Sequence, residues 1–219
     1  QLISKGVFII PNTSKTEKEI LEFNNELGSS LPYISENGSA INGLDLLNSN
    51  LPKELILSRE KDSLIKIFKK SVPVNLQNKC KWLKEMDKKK QSLIFGFEGE
   101  KLKLALDRKY TIPFLFEGNK SEKKELSKFI KNKGLSLQEG GRVINLTDKV
   151  NKSKALQVFV RFFKKNNKNV KTIAVGDNYN DLDMLKTSDF PCLVFNDKFT
   201  LDEIPIKNLI TTNKPSPEG

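Results

Sequence analysis

Histidine is absent from the 219 residues, and that gap removes more chemistry than any other. Without imidazole there is no Ser-His-Asp or Cys-His nucleophile, no His-ligated metal, and no side chain that titrates near neutrality in its ordinary state. Any catalysis has to rest on carboxylates, lysines, hydroxyls and a metal. Cysteine is scarce too. Cys80 and Cys192 stand far apart with no Cys-x-x-Cys spacing, which excludes a disulfide scaffold and a thiolate zinc site and suits a reducing, cytoplasmic compartment. No run of about 18 apolar residues occurs, so no membrane span is expected. The first residues, Gln1-Leu-Ile-Ser-Lys-Gly6, carry neither an initiator Met nor a signal-peptide pattern and read as the tail of a helix cut mid-element.

Acid is in deficit: 27 Asp and Glu face 38 Lys and Arg, a net charge of +11. Such an excess can attract nucleic acid or acidic metabolites. The lysines, however, are spread through amphipathic segments. The densest group, Lys164 to Lys171, reads as a helix end and a solvated turn, with none of the interleaved aromatics that stack bases. No nucleic-acid or membrane partner is expected. An apolar fraction of 37% is enough for a real core in one large or two small domains.

The most informative segment that is present is Gly176-Asp177-Asn178-Tyr179-Asn180-Asp181, at the end of the run Lys171-Thr-Ile-Ala-Val175. The run reads as a buried parallel strand, and Asp181 to Lys186 as the start of a helix. Short acidic and amide side chains at the carboxyl end of such a strand lie where open α/β sheets bind ligands. Oxygen donors there suit Mg2+. Asp and Asn also populate ordinary turns, because they bond their own backbone. A calcium loop is excluded, since counting from Asp177 gives Tyr179, Leu182 and Ser188 at its third, sixth and twelfth positions.

Along the chain, Gly6-Val-Phe-Ile-Ile10 predicts a buried strand, and Ser14-x-x-Glu17 is a capping-box pattern opening a helix to about Leu27. Leu31 to Ser35 predicts a second strand ending in the turn Glu36-Asn-Gly-Ser39. Together these form a βαβ unit and imply a parallel sheet. Helices are expected over about 58–70 and 79–88. A strand is expected over 113–117, then a helix capped by Ser121 and running to about Lys133. Two antiparallel strands, 135–138 and 142–146, flank Gly140-Gly141. A helix over 152–165, the strand into Gly176, a helix, and strands over 191–195 and 208–211 return to an alternating pattern. The fold class is therefore α/β: a doubly wound parallel-sheet core in 1–43 and 150–219, interrupted by an inserted α+β cap in 44–149.

Three groups then share the chemistry that phosphoryl transfer requires. Thr13-Ser14-Lys15 offers a hydroxyl and backbone N–H groups for phosphate oxygens. Lys152-Ser153 opens a helix and offers a cation. Asp177, Asn180 and Asp181 offer oxygen ligands. This set resembles the haloacid dehalogenase phosphatase superfamily. Thr13 matches its second motif, Lys152 its third, and Asp177 and Asp181 its fourth. A finer resemblance rests on Thr13-Ser-Lys-Thr16, Glu36-Asn-Gly-Ser-Ala-Ile41, Arg108-Lys-Tyr-Thr-Ile-Pro113, Gly140-Gly-Arg142, Lys152-Ser-Lys-Ala155 and Thr211 to Gly219, which recur in that order in the mannosyl-3-phosphoglycerate phosphatases.

The resemblance implies a Mg2+-dependent phosphomonoester hydrolase with a C2-type cap and a small anionic phosphorylated substrate. Asp177 and Asn180 would serve the metal, Thr13, Lys152 and Asp181 catalysis, and Ser14, Lys15, Asn37, Arg108 and Arg142 the substrate. Asp181 would orient Lys152. The family's attacking and proton-donating acids stand in an Asp-x-Asp-Gly-Thr motif. Here the Asp-x-Asp string is Asp181-x-Asp183, inside the fourth motif, so a fragment lacking the nucleophile and inactive by itself is expected. A Cof-like or sucrose-phosphatase-like enzyme and a non-catalytic ligand-binding remnant are the other readings.

Overall fold

The computed structural model describes residues 2–140, 142–166, 169–196 and 205–215. They belong to two compact units, residues 1–150 and 151–219. Gly141, Lys168 and the end of the tail motif, 216–219, lie outside the described residues.

In the first unit, helix α1 (Glu17–Glu26) is opened by Thr16, not by Ser14. Thr16 Oγ1 accepts from the Glu19 N–H at 3.3 Å, and the Glu19 carboxylate accepts from the Thr16 N–H at 2.8 Å. Ser14-x-x-Glu17 and Thr16-x-x-Glu19 both spell a capping box. The second wins because residues 13–15 are held in a non-helical loop by bonds described below. Strands β1 (Tyr33–Ser35), β2 (Ala40–Asn42) and β3 (Glu54–Ile56) form an antiparallel sheet in that order. The expected strand over 6–10 is not formed. Val7 and Phe8 are exposed, Phe8 to 63%, and the parallel pairing is confined to one bridge, Asn12 to Ile34. An apolar run becomes a strand only where a ladder partner takes its backbone groups.

The chain continues through α2 (Lys61–Ser71), α3 (Val74–Gln77), β4 (Cys80–Trp82), α4 (Lys88–Phe95), α5 (Gly99–Leu106), β5 (Ile112–Phe116), α6 (Lys120–Lys131), β6 (Leu135–Glu139) and β7 (Ile144–Asp148). The four strands make an antiparallel sheet ordered β4-β5-β7-β6. Helices α2 and α6 place Leu64, Phe68, Leu126 and Ile130 against Phe114 and Leu146 of that sheet. Full burial of side chains of this size is worth roughly 1.5–3 kcal/mol each. The helix expected over 79–88 is a correction: Cys80 to Trp82 pair with Phe116 to Phe114, and the helix begins only at Lys88. Its signals are Asp87, whose carboxylate accepts from the Lys90 N–H at 2.9 Å, and Gly96, left-handed at φ 69° after the last turn. Helix α6 is capped by Asn119 in a capping box with Glu122, two residues ahead of the expected Ser121.

Arg59 forks onto Asp148, with Nε to Oδ2 at 2.7 Å and Nη2 to Oδ1 at 2.8 Å, and ties the entry of α2 to the end of β7. Burial pushes the Asp148 carboxyl up. The Arg59 side chain and the N–H groups of Arg59 and Lys149 outweigh burial and hold it at about 2. Because this lies below the ordinary carboxyl value, the pair's contribution is complete above about pH 4 and is lost as pH falls through about 2. The urea midpoint of Asp148→Asn is therefore expected below wild type at pH 6, with the gap closing as titration approaches pH 2. A gap that stays constant over that range would contradict the assignment.

In the second unit, α7 (Lys152–Asn166) precedes β8 (Ile173–Gly176), α8 (Leu182–Thr187), β9 (Phe190–Phe195) and β10 (Ile210–Pro215). The strands pair in parallel in the order β10-β9-β8. Ala174, Met184, Leu185 and Leu193 form a core cluster, and Ala155, Phe159 and Val160 of α7 are buried as well. The strand into Gly176 is parallel as expected but buried on one face only: Ile173 and Val175 are 68% and 58% exposed.

Candidate active site

The first group of candidate residues sits on the loop before α1. The Ile34 N–H donates to the Pro11 carbonyl at 2.8 Å, and the Thr13 N–H donates to the Ile34 carbonyl at 3.1 Å. The turn after β1 then grips the loop again, with the Glu36 N–H on the Lys15 carbonyl and the Asn37 N–H on the Thr13 carbonyl, both at 2.9 Å. Thr13 Oγ1 accepts from the Lys15 N–H at 3.2 Å. Arg108 closes the other side, its Nη1 donating to the Ser14 carbonyl at 3.0 Å. These bonds fix the backbone around Thr13.

The turn that does the gripping runs through positive φ at three successive residues: Glu36 at 45°, Asn37 at 61° and Gly38 at 94°. Such a run is strained for the first two. Its anchor is the Glu36 carboxylate, 2% exposed, which accepts from the N–H groups of Lys109, Tyr110 and Thr111 at 2.8, 3.1 and 2.8 Å and from Thr111 Oγ1 at 2.7 Å. Thr111 Oγ1 in turn accepts from Arg108 Nη1 at 2.9 Å. Arg108 is thus buried, with Nε on the Ala105 carbonyl and Nη1 on Ser14 and Thr111. Burial lowers its pKa, opposed by the charges of Glu36 and Glu19. The sequence marks Glu36 only as part of a turn; nothing in the residue pattern singles out its carboxylate as the clasp between residues 36 and 109–111.

Arg142 is exposed and stands with its guanidinium carbon 6.0 Å from the centre of the Phe97 ring; Lys15 Nζ is 5.7 Å from the same centre. Gly96 permits this seat, because a Cβ there would come within 2.8 Å of Arg142 Nη1. The structure therefore brings Lys15 and Arg142 onto one aromatic ring. Phe97 carries no sequence signal for that role.

In the second unit Lys152, at the start of α7, meets Asp181 in a buried ion pair: Nζ to Oδ1 is 2.7 Å, with the side chains 9% and 5% exposed. Asp181 Oδ2 accepts from the N–H groups of Asp177 and Asn178, both at 3.2 Å. Gly176 makes room for it, since a Cβ on that glycine would lie 2.5 Å from the Asp181 Cβ. Asp181 is fully engaged by the chain. Asp177, beside it, is exposed; its backbone is used by Asp181 and by Asn196 Nδ2, while its carboxylate makes no bond among the described residues.

No group of three or more His, Cys, Asp or Glu gathers as a metal cage among the described residues. Mg2+ does not require one. It is held by one or two carboxylates, waters and phosphate oxygens rather than by an all-protein cage. An outward, uncommitted carboxylate at the carboxyl end of β8 is a donor of the required kind, so Asp177, with Asn180 two residues into the turn, fits that ion.

A family model described as haloacid dehalogenase-like hydrolase matches residues 1–213. The chain is 27% identical over 225 residues to the glucosyl-3-phosphoglycerate/mannosyl-3-phosphoglycerate phosphatase of Persephonella marina, covering 98% of this chain and 82% of that protein. It is 28% identical to the mannosyl-3-phosphoglycerate phosphatase of Pyrococcus horikoshii, over 86% and 78% of the two chains. Among solved structures, the sucrose-phosphatase of Synechocystis superposes with a TM-score of 0.59 at 13% identity, over 97% and 82%. The resemblance read from the ordered short motifs is borne out by these relatives, and the α/β class with a haloacid dehalogenase-like fold by the structural match.

Proposed function

The chain belongs to the haloacid dehalogenase-like hydrolase family, and on that premise we propose that it is a Mg2+-dependent phosphomonoester hydrolase whose substrate is mannosyl-3-phosphoglycerate or glucosyl-3-phosphoglycerate. The observation that supports this most strongly is the division of labour between two neighbouring acids. Asp181 is locked to Lys152 and to the turn backbone, whereas Asp177 is left outward and uncommitted.

Asp177 and Asn180 would hold Mg2+, which would supply charge neutralisation at phosphate oxygens. Lys152 keeps a fixed ammonium because Asp181 holds it, and its role is to neutralise charge on a transferring phosphoryl group. Thr13 Oγ1 donates to a phosphate oxygen from a backbone that the 34–37 turn has already fixed, so little is left to order on binding. Lys15 and Arg142, which share the Phe97 ring, would take the substrate carboxylate, with Ser14 and Asn37 as further hydrogen-bonding groups. Arg108 acts by holding the Ser14 carbonyl. Residues 44–149 are proposed as the cap, although Glu36 to Thr111 and Ser14 to Arg108 bonds cross its sequence-read boundary within the first unit.

The partner is a small anionic metabolite, and the proposed place is the cytoplasm; no helix among the described residues is long and apolar enough to cross a membrane. No Asp precedes Asp45, so the 219 residues alone are expected to bind the phosphomonoester without releasing phosphate. Substrate preference is tested with the protein carrying an Asp-x-Asp-Gly-Thr segment ahead of residue 1. Glycosyl-3-phosphoglycerates are expected to exceed hexose 6-phosphates in kcat/KM by more than about tenfold, the worth of a well-placed charged hydrogen bond. Preference for a hexose 6-phosphate would point instead to a sucrose-phosphatase-like or Cof-like enzyme. Tight substrate binding without turnover would point to a non-catalytic remnant.

A further inference from the structure

A hollow of about 430 Å3 lies beside β4 and the end of α2 in the first unit, and none of the candidate site residues named above lines it. That volume falls within the roughly 300–1,000 Å3 of ordinary small-molecule sites. Its apolar side is formed by Trp82, Phe68 and Met86. Trp82 is held rigidly, edge-on to Phe68 with ring centres 5.0 Å apart and tilted against Phe114 at 5.1 Å. It is half-buried, and its indole N–H makes no hydrogen bond among the described residues.

The polar side carries groups the fold does not consume. The Asn78 side-chain amide, the Glu85 carboxylate and the Lys69 ammonium have no partner among the described residues. Gln77 spends its amide nitrogen on the Lys69 and Val72 carbonyls, at 2.9 and 2.6 Å, which leaves its oxygen to accept. Lys81 is already opposed by Glu117 at 3.4 Å, so Lys69 and Glu85 leave the hollow with no net excess of either sign. A phosphate or carboxylate ligand therefore finds no special attraction there. Donors and acceptors lie side by side, which suits hydroxyls, since each hydroxyl both donates and accepts. The aromatic wall suits the apolar face of a ring.

We propose that this hollow is a second ligand site, for a neutral hexose-sized sugar, separate from the phosphate-handling residues. Trp82 is the single tryptophan of the chain, so its emission reports on the hollow alone. The 219-residue protein is titrated with D-mannose, D-glucose, glycerol and inorganic phosphate, and saturation-transfer NMR on the sugars serves as a readout that does not depend on a change in emission. A saturable response to at least one hexose is expected, and little from glycerol or phosphate. Asn78→Ala and Glu85→Ala, both at exposed positions, are each expected to weaken it about five- to tenfold while the circular dichroism stays unchanged, the worth of one hydrogen bond. Absence of a hexose signal by both methods overturns the proposal. So does a response to phosphate alone, or hexose affinity unchanged in both variants. Because none of these readouts involves turnover, they stand or fall independently of the phosphatase reading.

Discussion

Replacing Asp181 by Ala is expected to lower the stability of the second unit by about 3–5 kcal/mol, because it leaves the Lys152 ammonium buried without its counter-charge. Two further bonds are lost with it, from the Asp177 and Asn178 N–H groups, so the turn that presents Asp177 loosens as well. The double variant Lys152→Met/Asp181→Leu removes both charges and fills similar volume. It is expected to recover the part of the loss that comes from the unpaired charge, since apolar replacements of buried pairs are often neutral or better, while the Asp177 and Asn178 N–H groups stay without their acceptor. Urea unfolding of the wild type and the two variants measures this. A single variant as stable as wild type would show that the pair is not buried as described. The comparison also separates two roles: the double variant regains stability but not phosphate affinity if Lys152 serves phosphate.

Glu36→Ala is expected to be of similar size, at least about 3 kcal/mol. It strands the N–H groups of Lys109, Tyr110 and Thr111, and each buried unsatisfied group costs about 1–3 kcal/mol. It also releases the positive-φ run over residues 36–38 that holds the Thr13 and Lys15 carbonyls. Glu36→Gln is only a partial rescue, because its oxygen can take the place of Oε2 while its NH2 opposes the Lys109 N–H. Thr111→Ala is expected to cost less, about 1–2 kcal/mol, since the hydroxyl's bonds to Glu36 and from Arg108 are lost while the carboxylate keeps its three N–H partners. Equal losses for Glu36→Ala and Thr111→Ala, read from urea midpoints, would contradict the clasp.

What the sequence made legible follows the range of the forces involved. Helix α7 and the strand into Gly176-Asp177 were readable because local periodicity and a Gly-Asp stop are written within a few residues. The pair of strands around Gly140 was readable for the same reason. Cys80 to Trp82 was not: a lysine-rich stretch has no strong periodicity, and its strand exists because Phe114 to Phe116, over thirty residues away, offer a ladder. The choice of Thr16 over Ser14 as cap turns on Glu36 and Arg108, both outside the range of local pattern. Gly6 to Ile10 failed in the opposite way, since its apolarity is local but its pairing among the described residues is limited to the bridge at Asn12. In the candidate site, the residue types that suit phosphate and metal were visible one by one. The division between an engaged Asp181 and an outward Asp177 was not, because it depends on which oxygen each N–H finds.

The most direct measurement is phosphate release from mannosyl-3-phosphoglycerate, with and without Mg2+, by the protein carrying an Asp-x-Asp-Gly-Thr segment ahead of residue 1, compared with its Asp177→Asn variant. The Asp177 carboxylate bonds no other group among the described residues, and the bond from Asn196 goes to the Asp177 backbone, so the substitution is expected to leave stability within about 0.5 kcal/mol. Mg2+-dependent turnover that falls about a hundredfold or more in Asp177→Asn is the expected result. Turnover indifferent to both Mg2+ and Asp177, or none at all with substrate bound, would contradict it.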